Sequence, residues 1–201
     1  MKKIILIVVL LTCPILMQAQ ELKIILFGDS LMAGYGLDPL NHLDRLLEKD
    51  LLSQGIVSQI TNASVSGDTS HGGLNRLNWN LQDDYDLFIL GLGANDMLRG
   101  ISPGTTKSNL EGIIKIVQKK NMLILLTGMQ VPSSYGQDYQ SSFNSIYLEL
   151  AKEYGLFLYP FLLEGVALDP SLNQSDGKHP NELGIALISK KIAEKIKNIL
   201  N

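Results

Sequence analysis

From Lys23 onward, short apolar runs alternate with stretches whose apolar residues recur every three or four positions. The runs through Lys23–Phe27, Leu87–Leu90 and Met122–Leu126 are continuous and each closes near a glycine, at Gly28, Gly91 and Gly128. Val57–Thr61 is a weaker run, and Leu156–Tyr159 stops at Pro160. Such runs predict strands buried on both faces, as in a parallel sheet. Between them, Leu43, Leu46, Leu47 and Leu51 share one helical face. So do Leu110, Ile113, Ile114 and Val117, and then Phe143, Ile146, Tyr147 and Leu150. A last helix carries Leu187, Ile188, Ile192, Ile196 and Leu200, with Pro180 near its start, where a missing N–H costs little. Strand–helix alternation predicts an α/β domain with helices on both faces of a parallel sheet. No internal repeat, low-complexity tract or linker divides it. In such sheets the functional groups gather beyond the carboxyl ends of the strands, so the residues following each strand carry the information.

The N-terminus follows a different plan. Lys2 and Lys3 precede an apolar stretch from Ile4 to Met17 broken only by Thr12 and Pro14, and Ala19 offers a small residue for cleavage. The stretch is short of the roughly 20 residues that span a bilayer, so residues 1–19 read as a secretory signal peptide and 20–201 as the domain. An uncleaved anchor is one alternative. Lipidation at Cys13 is another, disfavoured by Thr12 before it and the apolar Ile15–Met17 after it. The expected location is periplasmic or secreted, with no stable membrane insertion after cleavage.

Composition narrows the partners. Apolar residues make up 45% of the 201, ample for a buried core, and charged residues 18%. The formal net charge is −3, and removal of residues 1–19 leaves 15 basic against 20 acidic side chains, so no basic surface calls for nucleic acid. The same cut removes Cys13, the one cysteine, so the fold rests on packing rather than disulfides. With three histidines, at 42, 71 and 179, and no HExxH or CxxC, a site built from several His and Cys ligands is not expected. A small-molecule substrate and a monomeric chain are.

Four polar segments stand where the chemistry belongs. They are Gly28-Asp-Ser30-Leu31, Asn62 to Thr69 with Gly67, Gly91 to Asp96 with Asn95, and Asp176-Gly-Lys-His179-Pro180. Phosphate binding does not fit, because Gly91-x-Gly93 lacks its third glycine and Gly28 is followed by no Walker lysine. No GxSxG elbow exists. Ser-His-Asp chemistry fits better: a serine hydroxyl needs a base, and the base needs an orienting group. Asp176 and His179 are three apart in a turn, and the N–H groups of Ser30 and Gly67 with the Asn95 amide would make three oxyanion donors. Structural roles remain open at this point: Gly-Asp-Ser as a helix cap, Asp-x-x-His as a surface turn, Asn95 as a cap. The order of the four segments in one small sheet favours catalysis.

Those blocks resemble the SGNH hydrolases, the GDSL esterase/lipase family. Gly28 to Gly36, Asn62 to Ser70, Gly93 to Gly100 and Asp176 to Asn181 are similar to its multifunctional thioesterase, protease and lysophospholipase branch and to related arylesterases. Pro132-x-x-Tyr135-Gly136 and Phe143–Phe161 extend the likeness over almost everything after Glu21. The resemblance implies a flavodoxin-like three-layer α/β/α sandwich with five parallel strands, hydrolysing small acyl esters and thioesters and also lysophospholipids. It implies Ser30 as nucleophile, His179 as base and Asp176 as its orienter, with Ser30, Gly67 and Asn95 as the oxyanion hole, and no metal or other cofactor. Asp96, Met97, Leu98 and Val131 fall among the expected substrate-binding residues, and 95–102 matches a segment that closes over acyl chains. Met97 and Lys178 depart from the family pattern and bear on chain-length preference and pH optimum. A carbohydrate deacetylase, or a non-catalytic binding protein on the same fold, are the alternatives. His42 is expected on a solvated helix face and His71 in a loop, while Trp79 and Asp83-Asp84 read as surface.

Overall fold

The computed structural model describes residues 21–201. The expected signal peptide and its alternatives therefore lie outside the described residues. Five strands, β1 (Leu22–Gly28), β2 (Ser58–Asn62), β3 (Leu87–Gly91), β4 (Leu123–Thr127) and β5 (Phe157–Tyr159), form one sheet in the order β2-β1-β3-β4-β5. Every pairing is parallel. The apolar runs explain the order: Ile24–Phe27 and Leu87–Leu90 are buried on both sides and take central places. The weaker β2, with only Ile60 buried, takes an edge.

The helices are α1 (Ser30–Ala33), α2 (Leu43–Ser53), α3 (Ser70–Asn80), α4 (Ala94–Leu98), α5 (Pro103–Gln118), α6 (Gln137–Tyr154) and α7 (Glu182–Leu200). α2 packs with α7, while α5 packs with α3 and α6, giving a helical layer on each face of the sheet. The predicted faces of α2, α5 and α6 are the buried ones, except that Leu46 is only half-buried. On α7 the seam is Ile185, Ile188, Ile192 and Ile196, with Leu187 and Leu200 beside it rather than in it, and Pro180 precedes the Asn181 cap.

α3 is not foreshadowed by any apolar stripe. Its sequence holds two glycines and three asparagines, poor helix formers. Tertiary packing overrides that preference. Thr69 caps the helix by accepting from the Gly72 N–H, and a β-carbon on Gly73 would lie 2.3 Å from Leu92 Cδ1 and 3.2 Å from Phe27 Cε1. Glycine lets this helix settle directly on the sheet. His71 belongs to α3 rather than a loop, bonded to Asn75. His42 is not on the face of α2 but precedes it, its ring half-buried with Nε2 3.3 Å from the Leu37 carbonyl. Trp79 is 82% exposed, as expected of a surface residue.

Candidate active site

The chain passes from β1 outward to β2 and then returns across β1 to β3, so the crevice between β1 and β3 is the point where the winding reverses. β1 ends at Gly28 and β3 at Gly91, paired in register, and Ser30 and Asn95 follow them directly. Asp29 caps α1 by accepting from the Leu31 N–H at 3.0 Å. Capping and catalysis are thus not competing readings of Gly-Asp-Ser: the cap puts Ser30 at the first helical position, where its N–H has no intrahelical acceptor.

Ser30 Oγ lies 2.9 Å from His179 Nε2, across 149 residues of sequence. His179 Nδ1 lies 2.6 Å from Asp176 Oδ2. The other carboxylate oxygen accepts from the Lys178 and His179 N–H groups at 2.9 and 3.0 Å. The His179 imidazole, then those two N–H groups, hold the Asp176 carboxyl well below the usual carboxylate range. The Asp-x-x-His segment is the surface turn that spacing allowed, and the same turn delivers its imidazole to Ser30.

Among the described residues, the Ser30 and Gly67 N–H groups donate to no protein acceptor, while the Asn95 carbonyl accepts from the Arg99 N–H at 3.1 Å. Gly93 occupies the cap position of α4, so Asn95 is not a cap, and its amide lies beside the Asp29 carboxyl. Ser30, Gly67, Asn95 and His179 all line one cavity of about 600 Å³. Its wall is largely apolar and includes Met97, Leu98 and Val131, with Met129, Leu163 and Leu168 in addition. Leu168 is 91% exposed at the mouth.

Asp96 departs from expectation. It does not line the cavity. Fully buried, its carboxylate accepts from the Ser70 N–H at 2.8 Å, the Ser70 hydroxyl at 2.5 Å and the Thr106 hydroxyl at 3.2 Å. A buried carboxylate stays only where donors surround it, and these donors tie α4 to α3 and α5. On the page of sequence Asp96 sat next to Asn95; successive residues of a helix point about 100° apart, and adjacency misled. Asp29 is the other buried carboxyl. Its Oδ2 has no partner, and burial pushes its pKa up to about 7, opposed by the Leu31 N–H and the neighbouring Asn95 amide.

Sequence reasoning missed Arg76, Tyr35 and Gln174. Arg76 bonds Asp68 at 2.6 Å and the carbonyls of Ala63 and Gly28 at 2.5 and 3.2 Å, and lies 4.0 Å over the Phe27 ring. It therefore joins the segments after β1 and β2. The Tyr35 ring packs on His179 with centroids 4.5 Å apart. A basic residue on a helix absent from the periodicity left no signal, nor did a lone glutamine in a loop. Tyr35 stood in the first block without an assigned role. No helix among the described residues is long and apolar enough to cross a membrane, and they hold no cluster of three or more metal-ligating side chains.

Residues 26–187 match the GDSL-like lipase/acylhydrolase family. The chain is 38% identical to esterase TesA of Pseudomonas aeruginosa over 164 residues, 81% of this chain and 82% of that one. It is 37% identical to thioesterase 1/protease 1/lysophospholipase L1 of Escherichia coli over 179 residues, 89% of this chain and 85% of that one. Among solved structures, the psychrotrophic esterase EstA from Pseudoalteromonas, inhibited by monoethylphosphonate, superposes with a TM-score of 0.84 at 32% identity, covering 89% of this chain and 98% of that one.

Proposed function

The chain belongs to the GDSL-like lipase/acylhydrolase family and is a hydrolase of the esterase type, and from that premise we propose that it cleaves acyl esters and thioesters, lysophospholipids among them, through an acyl-Ser30 intermediate. The observation that carries this reading is the unbroken line of contacts from Ser30 Oγ through His179 to Asp176, at 2.9 and 2.6 Å, opening on an apolar cavity.

In this reading Ser30 Oγ attacks the acyl carbon as its proton passes to His179 Nε2. Asp176, low in pKa and therefore charged, keeps the Nδ1 proton in place and favours the imidazolium that forms. The carbonyl oxygen becomes an oxyanion held by the Ser30 and Gly67 N–H groups and the Asn95 amide. Collapse breaks the bond to the alcohol or thiol, which leaves with the proton from His179. Water then repeats the cycle on the acyl-enzyme, His179 taking its proton, and the free acid departs. The largely apolar wall suits a hydrocarbon acyl group, which supports lipid-like acyl donors over acetylated sugars. All these groups come from one chain, which supports a monomer, and the chemistry draws on no metal or other cofactor.

The N-terminal pattern supports export with cleavage after Ala19, leaving a lipid-free enzyme in the periplasm or outside the cell. N-terminal sequencing should begin near Gln20; a chain starting at Cys13 with added acyl mass would overturn it. For the chemistry, a fluorophosphonate probe should label the protein at Ser30 and not the Ser30→Ala variant. p-Nitrophenyl esters and acyl-CoAs of rising chain length should be turned over. Absence of both labelling and turnover would leave the binding-protein alternative standing.

A further inference from the structure

The groups that would carry the chemistry come from two separate pieces of chain: the turn after β1 and the segment between β5 and α7. Something must keep them in register. Residues 173–180 fold back on themselves, with an antiparallel bridge between Asn173 and Pro180 and the Gln174 N–H donating to the His179 carbonyl at 2.8 Å. Asp176 and His179 ride on this narrow loop. Its outer end is exposed, with Ser175 to Lys178 all facing solvent. Apolar burial at that end therefore contributes little to fixing it.

Gln174 supplies a tie. Its Nε2 donates to the Tyr35 carbonyl at 2.7 Å and to the Pro180 carbonyl at 2.9 Å. One amide thus bonds the residue directly after His179 and a residue five positions beyond Ser30. The fit is close on the far side as well: a β-carbon on Gly36 would lie 2.3 Å from Gln174 Oε1, and Gly36 has φ +73°, a conformation that favours glycine. Tyr35, whose carbonyl takes this bond, lays its ring on the His179 imidazole, tilted 38°. Apart from the Ser30–His179 contact itself, Gln174 makes the only side-chain hydrogen bond between 173–180 and 29–36 among the described residues.

We propose that Gln174 is a positioning residue for proton transfer: its side-chain amide locks the loop bearing His179 onto Tyr35–Gly36, and so holds the imidazole within reach of the Ser30 hydroxyl. This rests on the Ser30–His179–Asp176 reading above. Gln174 touches neither substrate nor reacting atoms, and it acts by geometry. Displacing a reacting pair by about 1 Å costs on the order of 10²-fold in rate. Loss of one tether, with the Tyr35 ring still in place, should cost somewhat less, about 10- to 50-fold.

The test uses Gln174→Ala, and Gln174→Met, which keeps length and bulk but no amide. A third variant, Gln174→Glu, sets a carboxylate oxygen against two carbonyls. For each, kcat and KM on a p-nitrophenyl ester, the second-order rate of fluorophosphonate labelling and the melting temperature are measured. The expected result is a fall in kcat and labelling rate by the same factor in Ala and Met, and a larger one in Glu. KM should stay within about twofold, because Gln174 itself does not line the cavity and its apolar wall of Met97, Met129, Val131 and Leu163 lies outside the loop. A labelling rate per folded molecule equal to wild type would overturn the proposal, whether melting temperature drops or not, since a merely structural role moves stability alone. Failure of the underlying reading is distinct: the unmodified protein itself would then not label at Ser30.

Discussion

Ser30, Gly67 and Asn95 follow β1, β2 and β3 by a few residues each, whereas Asp176 and His179 lie far past the end of β5, in a segment without strand or long helix. The first group is held from below. Asp29 caps α1, Arg76 gathers three partners after β1 and β2, and the buried Asp96 joins three elements. The second group is held by side-chain amides and carboxylates reaching backbone: Asp176 to two N–H groups, Gln174 to two carbonyls, Asn173 to the carbonyls of Val166 and Asp169. The Ser30–Gly67–Asn95 side thus shares its supports with the core, and the Asp176–His179 side does not. Damage to a support on the first side should cost stability along with rate. Damage on the second should cost rate nearly alone.

Ser30→Ala gives the largest effect and sets the floor. Hydrolysis should fall by about 10⁴ or more while the melting temperature holds, since Oγ bonds only to His179. Activity above about 1% of wild type would remove Ser30 as nucleophile. Asp176→Asn should approach the same loss, about 10⁴ in kcat, by permitting the wrong imidazole tautomer. The Asp176 side chain is 38% exposed, so solvent screens its contacts and stability at pH 7 should fall only slightly. Its depressed pKa implies a stabilising contribution present above the ~3.9 of an unfolded carboxyl and lost as pH falls through the folded value. A large loss of stability at neutral pH would break the distinction between the two sides.

Asn95→Ala should cost about 10²–10³ in kcat with KM little changed, because the oxyanion exists only near the transition state. Asn95→Asp should be worse, a carboxylate repelling the developing charge. Asp96→Ala sharpens the contrast: it strands the Ser70 N–H and hydroxyl, leaves the Thr106 hydroxyl only the Ser102 carbonyl, and should cost about 3 kcal/mol, read by urea unfolding. The smallest effect concerns Asp29. Its carboxyl titrates near 7 when folded and near ~3.9 when unfolded, so its contribution to stability is complete below pH 4 and lost as pH rises towards 7. Asp29→Asn, which keeps the capping oxygen, should therefore gain on wild type between pH 4 and 7, on the order of 1 kcal/mol or more. Parallel stability curves for the two proteins would refute this.

The same division governs what could be read from the residues alone. The strands were legible because burial on both faces leaves unbroken apolar runs, and α2, α5 and α6 because one buried face leaves a stripe. The segments following β1, β2 and β3 were legible because the polar residues there interrupt those runs. α3 was not, since the close approach at Gly73 selects against the side chains that reveal a helix. Asp96 was misassigned because its partners, Ser70 and Thr106, are 26 and 10 residues away. Gln174 was invisible for the same reason, its reach to Tyr35 spanning 139 residues. Side chains that bond a distant backbone carbonyl leave no period and no spacing.

The 149-position separation of Ser30 and His179 also sets the order of events in the life of the molecule. Contacts so remote in sequence close late, after the loop entropy of everything between them has been overcome. Ser30 lies just past the first strand to be made, whereas the His179 imidazole arrives just ahead of α7, the helix that completes one layer by docking on α2. A nascent chain carries the serine without its partner. Hydrolytic competence is then a signal of finished folding: turnover reports that both ends of the polypeptide have met, and any truncation of the last helix should silence an otherwise intact serine.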